Sequence, residues 1–214
     1  MDPAQALARV LTPAPPAKPS ALRRLAQIEA RMPEAADLVL FGDSLAAAWP
    51  EALLHSALPR WRVFNFGLPG DRVQNSLWRL ASIPTAHLRP RALVMLLGTN
   101  NLGDGDPPEA IAEGLAAVLE AAIRQWGDPA AFVVTIPRRG EAPGFRQNER
   151  SRLNAELARL RATLLDADAA LVPSPGEEPC LLADMLHLSE AGYRRLGAAL
   201  AAAIVPAARQ NSDG

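Results

Sequence analysis

One cysteine, Cys180, in 214 residues cannot close an internal disulfide, which removes the small disulfide-stapled folds and suits a reducing compartment. Only three histidines are present, His55, His87 and His187, and their wide separation gives no zinc-ligand spacing, so neither a metal nor another cofactor is expected. Charge of one sign is also lacking. The 22 Lys and Arg residues against 23 Asp and Glu leave a formal charge of −1, without the basic field that holds a nucleic acid. No apolar run approaches the roughly 20 residues needed to cross a bilayer, and the first twenty residues lack the apolar core of a secretion signal. Membrane insertion is therefore not expected, and a cytoplasmic location follows by default.

What is present is enough apolar material, 49% of residues, to bury one sizeable core. Prolines at 3, 13, 15 and 16 mark residues 1–19 as a flexible Pro-rich arm; the domain is expected over 20–206, with a flexible tail at 207–214. Short apolar runs read as strands in DLVLF (37–41), WRVFNF (61–66), ALVMLL (92–97) and AFVVTI (131–136), with a weaker fifth near AALVP (169–173). Between them lie amphipathic stretches. Residues 107–126 carry Ile111, Leu115, Val118, Leu119, Ala122 and Trp126 on one stripe, and a last helix begins at the plausible N-cap Ser189 with Tyr193, Leu196, Leu200 and Ile204 on one side. Strands alternating with helices predict an α/β domain, a three-layer α/β/α sandwich around a five-stranded parallel sheet. In such sheets ligands bind beyond the carboxyl ends of the strands.

Three of the loops at that end are unusual: FGDSL after the first strand, NFGLPGD after the second and LLGTNN after the third. Glycine allows close backbone approach or positive φ, while Ser and Asn offer a nucleophile and an amide donor. A serine nucleophile needs a base, and the base needs a group that holds its tautomer. His55 falls about three turns beyond Ser44 on the same predicted helix and points away from the loops; His87 lies at the amino end of the third strand. His187, in DMLHLS, has Asp184 three residues before it, a spacing that makes a compact base-and-orienter pair. Taken alone, Asp43 or Ser44 also reads as a helix cap and Asp184 as a turn cap. Cys180 reads as a small buried hydrophobe, and Trp49, Trp61, Trp78 and Trp126 as packing residues. No serine lies in a GxSxG strand-to-helix context, which excludes the α/β-hydrolase elbow.

GDSL at 42–45, the Gly70 of LPGD, GTNN at 98–101 and DMLHLS at 184–189 resemble, in order, the four blocks of the SGNH (GDSL-type) hydrolase superfamily. The likeness runs from about Ala21 to Val205. Within it, NFGLPGDRVQNSLWRL, LLGTNN, PRRG and DMLHLSEAGY are most similar to the catalytic α subunits of type I platelet-activating factor acetylhydrolase and their bacterial relatives. The resemblance implies a flavodoxin-like sheet and a serine esterase acting on short, acetyl-type esters. It makes Ser44 the nucleophile, His187 the general base and Asp184 its orienter, with an oxyanion hole from the backbone N–H groups of Ser44 and Gly70 and the side-chain amide of Asn100. Asp43 and Asp71 read as loop-fixing acceptors; Asn101 either orders its loop or donates. Pro69 departs from the small polar residue common in relatives. Arg138, Arg139 and Arg146, in the loop after the fourth strand, are candidates to favour an anionic leaving group, and Arg139 and Arg146 are taken as substrate-binding. The alternatives are an acyl-CoA thioesterase or carbohydrate O-deacetylase on the same scaffold, or a non-catalytic assembly subunit. The expected partner is a small acyl ester; relatives of this type also form dimers, so a homodimer stays open.

Overall fold

The computed structural model describes residues 2–140 and 145–210. Five strands, β1 (Leu38–Gly42), β2 (Val63–Gly67), β3 (Ala92–Leu96), β4 (Ala130–Val134) and β5 (Thr163–Leu165), form one sheet in the order β2-β1-β3-β4-β5. Every pairing is parallel. This is the flavodoxin-like order, and its direction reverses between β1 and β3. A crevice therefore opens where the loops after those two strands part.

The strands' alternation splits the core in two. Val39, Phe41, Leu93 and Met95 face one way, against α2 (Pro19–Ala30), α5 (Val73–Ser82), α7 (Pro108–Trp126) and α8 (Gln147–Glu156). Leu38, Leu40, Val94 and Leu96 face the other, against α3 (Ser44–Ala47), α4 (Glu51–Ala57), α9 (Ala167–Ala170) and α10 (Glu190–Gln210). Because both faces are covered, the strands read as apolar runs rather than as alternation. The expected stripe on α7 and the Tyr193, Leu196, Leu200 and Ile204 side of α10 are all buried.

Four sequence expectations need correction. Residues 1–19 are not a loose arm: Pro3–Leu11 forms α1, whose Ala6 and Val10 are fully buried against the α5–α7 side of the sheet. An Ala-rich helix opening on Pro3 is easily overlooked when the prolines behind it dominate the composition. The fifth strand is Thr163–Leu165 rather than 169–173, pairing Val133 with Leu164 and Val134 with Leu165. Only Leu165 of that strand is buried, so its apolar signal is weak. Asp166 then caps α9 by accepting from the Ala169 N–H at 3.1 Å, and the proposed strand begins inside that helix, at Ala169 and Ala170. Finally, the boundary at 206 falls inside α10, which runs to Gln210; residues 211–214 lie outside the described residues. His55 also sits on α4, separated from the Ser44 helix by a break at Pro50.

Among the described residues no helix is long and apolar enough to cross a membrane.

Candidate active site

The site begins at Gly42, the last residue of β1. A β-carbon there would lie 1.9 Å from the Leu96 carbonyl oxygen, so only glycine lets β1 and β3 meet at this register. The next residue takes the helix cap that the sequence left open between Asp43 and Ser44. Asp43 caps α3, its carboxylate accepting from the Leu45 N–H at 2.9 Å, and this leaves the Ser44 hydroxyl free of capping duty.

That hydroxyl lies 3.0 Å from Nε2 of His187, across 143 positions of sequence. On the other side of the ring, Nδ1 of His187 lies 2.6 Å from the Asp184 carboxylate. An ionised carboxylate only accepts, so Nδ1 carries the hydrogen and Nε2 is left to accept from Ser44. Asp184 is itself fixed by the backbone N–H groups of Leu186 and His187, at 3.0 and 2.9 Å. The hydrogen bond from the imidazole and those two N–H groups hold its carboxyl well below the usual carboxylate range.

The loop that bears this pair is pinned at several points. Leu182 donates to the His187 carbonyl at 2.8 Å, Ser189 donates its N–H to the Cys180 carbonyl at 2.9 Å, and Ser189 Oγ accepts from the Gly192 N–H as the α10 cap. Met185 takes φ +55, strained for a side chain with this bulk, and is held there by its N–H to Leu182 and by the Gly140 N–H donating to its carbonyl at 2.8 Å.

Opposite this loop, Leu68-Pro69-Gly70-Asp71 makes a turn closed by the Asp71 N–H on the Leu68 carbonyl at 3.2 Å. Pro69 at the second position and Gly70 at the third, with φ +75, is the type II pattern. Pro69 therefore builds the turn that a small polar residue would leave looser. Asn100, at the start of α6 (Thr99–Gly103), spends one amide hydrogen on the Asp71 carbonyl at 2.8 Å and keeps the other. Among the described residues, the N–H groups of Ser44 and Gly70 have no acceptor. Asn101 takes the loop-ordering alternative: it is buried, accepts from the Val73 N–H at 2.9 Å and donates to Asp106 at 2.9 Å.

Beneath these loops lies a group that a reading of the sequence passes over. Arg79 is fully buried, stacked 4.1 and 4.6 Å from the Phe41 and Phe66 ring centres. It donates to the Phe66 carbonyl at 2.6 Å, the Gly42 carbonyl at 3.3 Å and the Asp71 carboxylate at 2.5 Å, tying the ends of β1 and β2 to the Gly70 turn. Ser76 donates a further bond to Asp71 at 2.6 Å. The only sequence signal is a Ser and an Arg three apart on the otherwise apolar side of α5.

Asp43 has one carboxylate oxygen buried without a partner. Burial pushes its carboxyl up to about 7; the Leu45 N–H opposes the rise, and the nearby Asp71 charge adds to it. Between an unfolded pKa of about 4 and that value the folded chain keeps a proton that the unfolded chain releases, so stability falls as pH climbs through this interval and levels off above it. Asp43→Asn keeps the acceptor for Leu45 and is expected to flatten that slope. Calorimetry at pH 5, 6.5 and 8 should show its melting temperature overtaking wild type as pH rises; parallel curves would contradict this.

The arginines after β4 part company. Arg146 is committed to the Asp106 carbonyl at 3.1 Å and the Glu149 carboxylate at 3.2 Å, and Arg138 to Asp168 at 3.1 Å. Arg139 stacks 4.4 Å over Phe145 and has no hydrogen-bond acceptor for its guanidinium among the described residues. It lies 3.1 Å from where a Gly103 β-carbon would be, one helical turn from Asn100. Burial pulls its guanidinium down, and the charges of Asp43 and Asp184 oppose that. An open groove of about 820 Å³, bordered by Arg139, Gly140, Val172, Leu181 and Met185, leads to the His187 loop. Residues 141–144 of this segment lie outside the described residues.

The other expected bystanders stay apart. His55 is exposed on α4, and His87 reaches the Pro33 carbonyl at the amino edge of the sheet. Cys180 is buried, and burial pushes its thiol up, away from a nucleophile's range. Among the described residues no three His, Cys, Asp or Glu side chains gather as a metal site.

A parallel sheet of this order, with a Ser–His–Asp chain and unspent N–H donors at its carboxyl edge, defines an SGNH-type hydrolase. The chain belongs to the GDSL-like Lipase/Acylhydrolase family, whose sequence profile matches residues 37–195. It is 33% identical over 171 residues to the platelet-activating factor acetylhydrolase IB subunit alpha1 of Pongo abelii, covering 73% of this chain and 70% of that one. Among solved structures, a Streptococcus pneumonia protein described as a platelet activating factor superposes with a TM-score of 0.68 at 21% identity, covering 85% of this chain and 90% of that one. A GDSL-like lipase from Bacteroides thetaiotaomicron gives 0.67 at 17% identity over 88% and 98%. At these identities the two structures speak for the fold.

Proposed function

We propose that the protein is a serine esterase that hydrolyses short, acetyl-type carboxylic esters through an acyl-enzyme on Ser44. The observation that carries this reading is the continuous chain from Ser44 Oγ to His187 Nε2 at 3.0 Å and from His187 Nδ1 to Asp184 at 2.6 Å. Ser44 Oγ attacks the ester carbonyl carbon while Nε2 takes its proton, and Asp184 steadies the imidazolium that forms. The carbonyl oxygen, now anionic, lies among the N–H groups of Ser44 and Gly70 and the free amide hydrogen of Asn100. Collapse breaks the bond to the alcohol, which leaves with the proton held by His187. Water then gives a proton to the same nitrogen and opens the acyl-enzyme, releasing the acid and restoring Ser44.

The acetyl preference draws on the similarity to an enzyme named an acetylhydrolase. A leaving-group side that runs into the 820 Å³ groove past Arg139 fits the same reading. So does a cytoplasmic setting, given the single buried thiol. Two measurements test the proposal together. A fluorophosphonate should label the folded protein on the peptide containing Ser44, and kcat/KM for p-nitrophenyl esters should be highest at acetate and fall with acyl length. Labelling elsewhere, or a rate that climbs with chain length, would overturn the mechanism or the substrate class respectively.

A further inference from the structure

We infer that residues 3–18 are an intramolecular clamp on the turn and helix that carry Gly70 and Asn100, with Arg9 as its principal positioning residue. The inference rests on the esterase reading for its catalytic consequence, though its geometry does not depend on it.

Three independent attachments converge on that frame. The first is polar. Arg9 on α1 pairs with the carboxylate of Asp106, whose side chain is 1% exposed. The other oxygen of Asp106 accepts from Asn101 Nδ2 at 2.9 Å, and Asn101 Oδ1 accepts from the Val73 N–H at 2.9 Å. Val73 opens α5, three residues beyond Gly70, and Asn101 is the neighbour of Asn100. One relay thus runs from the amino-terminal helix through both loops. The second attachment is apolar: a β-carbon at Gly114 of α7 would lie 2.6 Å from both Val10 and Val73, so this glycine leaves the space in which α1 packs beside the start of α5.

The third is the Pro-rich link itself. The Ala14 N–H donates to the Gln74 carbonyl at 3.0 Å, and Asn75 Nδ2 donates to the Ala14 carbonyl at 3.0 Å while Asn75 Oδ1 accepts from the Arg72 N–H at 3.2 Å. The exposed Lys18 then lays its stem across Gly70, where a β-carbon would meet its Nζ at 2.7 Å and its Cδ at 2.8 Å. Prolines at 13, 15 and 16 stiffen this passage, so α1 and the turn are joined by a link with little slack.

Donors aimed at a developing oxyanion contribute only while they are held in place before the reaction, and a displacement of about 1 Å can cost on the order of a hundredfold. Asp71, Asn100 and Asn101 link the two loops to each other. The clamp fixes the pair to the body of the protein from the outside. Without Arg9, a buried carboxylate at Asp106 has lost its cation and the relay loosens at its origin.

The test uses the full chain with Arg9→Met, Arg9→Lys and, because Arg9→Met leaves the buried Asp106 carboxylate without its cation, the milder Asn75→Ala. Three readouts are taken: kcat and KM on p-nitrophenyl acetate, affinity for an alkylboronic acid whose tetrahedral adduct places an oxygen among the donors, and hydrogen exchange of peptides spanning 68–76 and 98–106. Arg9→Met is expected to lower kcat by about ten- to a hundredfold with KM within about twofold, to weaken the boronate in proportion, and to speed exchange in both peptides; Arg9→Lys restores most of each. Asn75→Ala should move the same quantities less. Unchanged exchange and boronate affinity in Arg9→Met and Asn75→Ala would overturn the clamp. Faster exchange in variants of a wild type that turns over no ester would uphold the clamp and overturn the esterase reading instead.

Discussion

Ser44→Ala is expected to lower kcat on p-nitrophenyl acetate by on the order of a millionfold and to abolish fluorophosphonate labelling, with little change in melting temperature. The separation of activity from stability follows from the division of labour at the start of α3. Asp43, not Ser44, satisfies the Leu45 N–H, so removing the serine hydroxyl costs the helix no cap. The hydroxyl's hydrogen-bond partner is His187, which is about a third exposed and can turn to water. His187→Ala should cost a similar factor, and the double variant little more than either, because nucleophile and base act as one unit. Near-normal turnover by Ser44→Ala in a protein free of contaminating esterase would end the acyl-enzyme mechanism.

After the nucleophile–base pair, Asn100→Ala carries the next largest expected effect, a loss of about a hundred- to a thousandfold in kcat with KM little changed. The amide has two jobs, and they can be told apart. One hydrogen fastens α6 to the Asp71 carbonyl at 2.8 Å, and the other is free for the oxyanion. If anchoring dominated, loss of Asn100 would also speed hydrogen exchange across 68–76. If donation dominates, as expected, exchange changes little and the boronic acid adduct weakens with kcat. Asn100→Asp, the same shape without a donor and with a negative charge where negative charge must develop, should fall below the alanine variant. A rise in KM with kcat intact would assign Asn100 to ground-state binding and remove it from the hole.

Much of this was legible in the sequence because strand ends are conspicuous. Buried parallel strands are continuous apolar runs, and the first three end at or within two residues of a glycine with Asp, Ser, Thr or Asn close behind, so FGDSL, GLPGD and LLGTNN announce themselves. The Asp184–His187 pair is equally visible, since three residues of separation suffice to join them through a local turn. What stayed hidden depends on contacts distant in sequence or on weak local signals. Thr163–Leu165 is three residues long with one buried side chain, too little for a period. Arg79 is a charge on an apolar face, where composition suggests solvent, and only Asp71 and two strand-end carbonyls explain it. The amino-terminal helix was masked by the prolines behind it, and its value lies in a partner, Asp106, 97 positions away. Arg139 and Arg146 look alike in sequence; their neighbours alone distinguish a committed guanidinium from an available one.

The 143 positions that separate hydroxyl from imidazole have a consequence for how this protein comes into being. A contact of that span carries a large loop-closure cost and is expected to close after the shorter-range pairings among β1, β2 and β3. On the proposed mechanism Ser44 leaves the ribosome well before His187, and the growing chain is expected to stay inactive until the loop before α10 docks. Recovery of turnover after dilution from denaturant should accordingly trail the return of helical signal, making enzymatic competence a timer for the last step of assembly.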